Sequence, residues 1–111
     1  MNRKWNIALI GTGETSRIFL DSETFQKKNF QIIKIFDKAP ELIGKELDHL
    51  VISDMNNLEM EIDPEIVVLG IVTVSPPDVQ SVIEWISEFQ VLNPKLGTDN
   101  TFFTLYTGIV L

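Results

Sequence analysis

Gly11-Thr12-Gly13-Glu14-Thr15-Ser16 is the stretch of this chain whose residue types and spacing best suit chemistry, because two glycines one residue apart expose backbone amides to a phosphate. In a G-x-G-x-x-G turn the first glycine bends the chain, and the second lets a pyrophosphate close on the backbone. The helix N-terminus that follows adds amide donors and partial positive charge. Ser16 stands where the third glycine would be and is small enough for close helix–strand packing. Glu14 sets a carboxylate at the helix start, in competition with phosphate. The plainer alternative is a tight turn and nothing more. Asp37 comes 26 residues after Gly11, where an acid accepts hydrogen bonds from adenosine ribose hydroxyls. An acid there also repels a 2′-phosphate, favouring NAD over NADP, and Lys38 tempers that preference. Asp37 has a second reading, as a cap on the turn before Pro40. Thr73-Val74-Ser75-Pro76 ends the longest apolar run and falls at the same sheet edge, where it can flank a dinucleotide. The candidate cofactor-binding residues are therefore Gly11, Thr12, Gly13, Glu14, Thr15, Asp37, Lys38, Thr73 and Val74, with NAD as the cofactor.

No catalytic residue is assigned. No nucleophile–base or acid–base pair stands out, and 111 residues leave no room for a substrate-bearing second region, so the chain is not expected to be an enzyme. His49 is the lone histidine and there are no cysteines, so no metal site is expected and His49 reads as a surface or packing residue. Absent cysteines also fit a reducing cytoplasm. The acids Glu41, Glu46, Asp48, Glu59, Glu61, Asp63 and Glu65 read as a solvated face, and Trp5 and Trp85 as packing residues. The net charge of -7, with no dense cluster of Lys or Arg, argues against direct nucleic-acid binding. No apolar run reaches the eighteen or so residues of a membrane span.

These residues need elements to hold them. Apolar strands alternate with helical stretches, the pattern of βαβ units and a parallel sheet, and the class expected is α/β, a Rossmann-like three-layer domain. Residues 5–10, 31–36 and 66–73 read as neighbouring interior strands because their apolar character is nearly continuous. A helix is expected over about 14–28, with Ile18, Phe19 and Phe25 inward. Between 38 and 60, Pro40 suggests a turn opening a short helical piece, Leu50-Val51-Ile52 a short strand, and Asp54 a cap on a brief helix through Glu61. Ser75-Pro76-Pro77-Asp78 reads as a helix start capped by serine, followed by Val79, Val82, Ile83, Ile86 and Phe89 at helical spacing. Residues 1–92 form the nucleotide-binding domain. Residues 93–111, with Asp99 their only acid, read as a last strand, or as an atypical or truncated end that is poorly ordered or pairs with another chain.

The runs I-G-T-G-E-T-S-R at Ile10 to Arg17, K-N-F at Lys28 to Phe30 and F-D-K-A-P-E-L-I-G-K-E-L at Phe36 to Leu47 resemble the NAD(H)-binding domain of Rex-type redox-sensing transcriptional repressors. That domain lies within the wider group of CoA-binding-type Rossmann domains. I-V-V-L-G-I-V-T-V at Ile66 to Val74, with Val79 and Gln80, is similar to the family's T-V strand end and helix. The resemblance spans residues 5–89. It implies NAD(H) held by Gly11 and Gly13, an adenosine ribose on Asp37, and Thr73 and Val74 lining the site. The family's winged helix is expected to be missing, so the chain would bind no DNA alone and would act through a homodimer or a partner protein. CoA or another adenine nucleotide remains an alternative ligand. A donated half-site of an enzyme and an interaction module that binds nothing are further alternatives.

Overall fold

The computed structural model describes residues 4–67, 69–92 and 102–108. Strand β1 (Trp5–Ile10) ends in four residues, Ile7 to Ile10, that are all but sealed from solvent. Only a central strand covered on both faces needs such a run, and β1 is the central strand. It pairs in parallel with β2 (Phe30–Asp37) on one side and with β5 (Leu69–Thr73) on the other. The three strands expected to be parallel neighbours are so.

The sheet runs β3-β4-β2-β1-β5-β6. β4 (Leu50–Asp54) is parallel to β2, and β6 (Phe103–Tyr106) is parallel to β5. The two-residue β3 (Glu46–Leu47) pairs antiparallel with β4. Asp48 and His49 make the hairpin between them, both at positive φ, and His49 is exposed on that turn.

Alternate residues of each strand feed two cores, because side chains in a strand point to opposite faces. Ile7, Leu9, Ile35 and Ile71 pack with Phe19 of α1 (Glu14–Asp21) and Phe25 of α2 (Glu23–Lys27). Ala8, Ile10, Phe36 and Val72 pack with Leu58 of α3 (Leu58–Glu61) and Ile86 of α4 (Val79–Leu92). Helices on both faces of a mainly parallel sheet give the three-layer α/β fold the sequence implies.

Several details differ from the sequence reading. The first helix does not run through residue 28 but breaks at Ser22. There the Ser22 hydroxyl donates to Phe19 O at 2.6 Å and accepts from Phe25 N–H at 3.2 Å, ending α1 and starting α2. Ile18 is exposed, since the buried stripe of α1 is Ser16 and Phe19. Trp5 is half exposed at the open start of β1, whereas Trp85 does pack, on Phe89 and Phe103. The turn after Pro40 stays a turn. The strand expected from residue 66 begins at Leu69, because Asp63 O accepts the amides of Ile66 and Val67 and leaves Ile66 exposed. Asp54 caps as expected: its Oδ1 accepts from Asn56 N–H at 2.8 Å ahead of a 3₁₀ turn, Met55–Asn57. Ser75 does not cap with its side chain; its hydroxyl donates to the Asp78 carboxylate at 2.5 Å, and a 3₁₀ turn, Pro76–Asp78, precedes α4. Ile83 faces solvent on α4, while Val82, Trp85 and Phe89 pack against the core.

Of the segment 93–111, residues 102–108 are described, and they contribute β6. The other residues of that segment lie outside the described ones. The acids read as a solvated face are exposed or half-buried, and no group of three or more potential metal ligands occurs among the described residues.

Candidate functional site

The chain leaves β1 toward β2 and β4, then returns to lay β5 on the other side of β1. The loops after β1 and β5 therefore diverge over the sheet's carboxyl edge, the place where open α/β sheets form a crevice. A cleft of about 710 Å³ opens there. Its size lies within the range of roughly 300–1,000 Å³ usual for small-molecule sites.

All nine residues named from the sequence line this cleft: Gly11, Thr12, Gly13, Glu14, Thr15, Asp37, Lys38, Thr73 and Val74. Met55, Ser75, Asp78, Val82 and Trp85 line it as well, and so does Ser16. Met55 follows β4, a strand whose place beside β2 only the tertiary structure reveals. Val82 carries a signal in its helical spacing and Trp85 in its aromatic ring, and both signals point to packing before they point to a cleft.

Gly11 turns the chain with φ at 101°, and its amide donates to Phe36 O at 2.8 Å. A Cβ there would stand 2.6 Å from Thr73 Oγ1 and 3.0 Å from Thr73 O, so the β1 and β5 loops touch at this glycine. Thr73 Oγ1 donates in turn to Ile10 O at 3.0 Å. Gly13 differs. Its φ of -82° suits any residue, and a Cβ would meet nothing within 4 Å. The fold makes no steric demand for glycine at 13, and the space beside it is open at the N-terminus of α1.

Asp37 is engaged by the chain itself. Its Oδ2 accepts from Thr12 N–H at 3.0 Å and from the Thr12 hydroxyl at 2.7 Å, and its Oδ1 accepts from Ala39 N–H at 2.9 Å. The turn-capping reading of Asp37 holds, and the same carboxylate clamps the glycine loop to the end of β2. Ser16 Oγ, buried beneath the first turn of α1, has no hydrogen-bond partner. The residues present suit a phosphate-bearing nucleotide: an open glycine at a helix N-terminus, the hydroxyl of Thr15, and Lys38 as the one cation among the described lining residues.

Residues 2–91 match the CoA-binding domain family. The chain is 31% identical over 84 residues to the redox-sensing transcriptional repressor Rex of Syntrophomonas wolfei subsp. wolfei, covering 76% of this chain and 40% of that protein. It is 34% identical over 83 residues to the Rex repressor of Syntrophobacter fumaroxidans, covering 74% and 40%. The chain thus spans about 40% of the length of these curated relatives. Among solved structures, RSP, a Rex-family repressor, in complex with β-NADH superposes with a TM-score of 0.62 over 97% of this chain and 48% of that one, at 21% identity. UDP-D-quinovosamine 4-dehydrogenase from Vibrio fischeri gives 0.58 over 86% and 89%, at 17% identity. At such identities the structural likeness speaks for the fold, while the sequence likeness to Rex bears out the resemblance carried by the glycine loop and the F-D-K-A-P-E run.

Proposed function

The chain belongs to the CoA-binding domain family, and from that premise we propose that it is an NAD(H)-binding, redox-sensing module akin to the part of Rex repressors that it matches. The observation that carries this reading is Gly13. Among the described residues nothing in the packing or backbone calls for glycine there, and its missing side chain leaves the approach from the cleft to the helix N-terminus open. Pyrophosphate is the group that an open glycine at a helix N-terminus serves. NAD(H) would bring two stable redox states to the cleft, and the residues lining it bind and orient rather than react. Gly13 and Thr15 would hold the phosphates on a loop that Thr12 ties to β2, Asp37 and Lys38 would hold the adenosine ribose, and Thr73 and Val74 the opposite wall. The module would work in the cytoplasm, bind no DNA by itself, and pass its state on through a homodimer or a partner protein.

The family match keeps CoA, or another adenine nucleotide, as the second reading. Calorimetric titration of the chain with NADH, NAD⁺, NADPH and CoA tests both. Saturable NADH or NAD⁺ binding is the expected result. Binding of CoA alone would transfer the assignment to the second reading, and no heat from any of the four would leave an interaction module.

A further inference from the structure

We infer that Lys38, rather than Asp37, sets which adenosine ribose the cleft takes, and that the site admits a ribose carrying a phosphomonoester. This rests on the reading of the cleft as an adenine-nucleotide site. An ionised carboxylate offers about four acceptor positions. In Asp37 the chain already uses three of them, two on Oδ2 for Thr12 and one on Oδ1 for Ala39. Two adjacent ribose hydroxyls require two acceptors, and Asp37 retains one. The residue that ought to select an unmodified ribose is occupied in holding the glycine loop to β2.

Lys38 is placed otherwise. It is exposed, lines the cleft and has no hydrogen-bond or ion-pair partner among the described residues. No other lining residue among the described ones is a cation. Its flexible stem carries a compact ammonium with three donors, suited to a phosphate as a point charge. Adjacent to Asp37, it offsets that carboxylate's charge one for one. The two other lining carboxylates belong to different elements, Glu14 to the first turn of α1 and Asp78 to the 3₁₀ turn after β5. Among the described lining residues Lys38 is therefore the cation that a further anion on the ribose would meet.

A ribose phosphomonoester occurs at the 2′ position in NADPH and at the 3′ position in CoA. The probes are accordingly NADH against NADPH, and dephospho-CoA against CoA, titrated into the wild-type chain and into Lys38→Met and Lys38→Arg. In the wild type, at least one phosphorylated member should bind within about threefold of its unphosphorylated partner, and which pair does so identifies the phosphate position. Lys38→Met should open that gap to about tenfold, the size of one lost charge-assisted hydrogen bond, and Lys38→Arg should keep it closed. The gap opened by Lys38→Met should shrink as salt is raised. Two results overturn the inference and leave the nucleotide reading standing. One is a wild-type gap of about a hundredfold against both phosphorylated members, which returns selection to Asp37. The other is a Lys38→Met variant that weakens both members of each pair equally. Silence from all four probes would sink the inference together with the nucleotide reading.

Discussion

At Gly11 the backbone sits in the left-handed region and a Cβ would strike Thr73, while two residues on, at Gly13, the backbone is ordinary and the space is empty. Alanine separates the two roles. Gly11→Ala should destabilise the fold by about 1–3 kcal/mol, through positive-φ strain and the crowding of Thr73. Gly13→Ala should cost no more than about 1 kcal/mol, the N-cap preference for glycine over alanine, since its φ suits alanine, yet should weaken nucleotide binding by narrowing the phosphate approach. Urea midpoints on both variants, with an NADH titration of the second, check this. Unaltered affinity in a stable Gly13→Ala protein would remove the main support for the proposed function. The glycine pair was legible in the sequence because its spacing is local. The grip of Asp37 on Thr12 was not, since it depends on β1 and β2 aligning two residues 25 apart along the chain.

Among the elements, the break between α1 and α2 hangs on one hydroxyl. Ser22 both accepts the amide that opens α2 and donates to the carbonyl of Phe19. Ser22→Ala should cost about 0.5–2 kcal/mol, as losing a helix cap does, with the loss read from a thermal melt. A melt that matched wild type would mean the break is set by the sheet beneath and not by the serine. Apolar periodicity gave the existence of these helices but not their punctuation, because a serine hydroxyl competing for backbone groups leaves no trace in a hydrophobic pattern. A backbone turn moved the start of β5. Ile66 and Val67 look like strand, yet the turn at Asp63 claims their amides. Ile18 and Ile83 show a different limit, in that spacing places an apolar residue near a stripe without saying which residue occupies its centre.

For the whole molecule, charge and topology carry the arguments. With a net charge of -7 and no basic patch read in the sequence, the chain should shift no duplex DNA with sequence preference at physiological salt. A sequence-dependent gel shift would contradict that expectation. The sheet order carries a consequence of another kind, in time rather than space. Ile7 of the central strand pairs with Ile32 and also with Leu69, so one flank of β1 is met early in the chain and the other only after β2, β3 and β4 have all been made. Parallel pairings between distant segments close slowly, because a long loop must lose its freedom before any contact rewards it. The half-sheet β3-β4-β2-β1 can assemble first, presenting the glycine loop with only one wall of its cleft. Thr73 supplies the other wall when β5 docks, so the pairing that closes the second flank of the central strand is also the one that finishes the site. A nucleotide that needs both walls would bind only chains in which β5 has docked, drawing the folding equilibrium toward them by mass action.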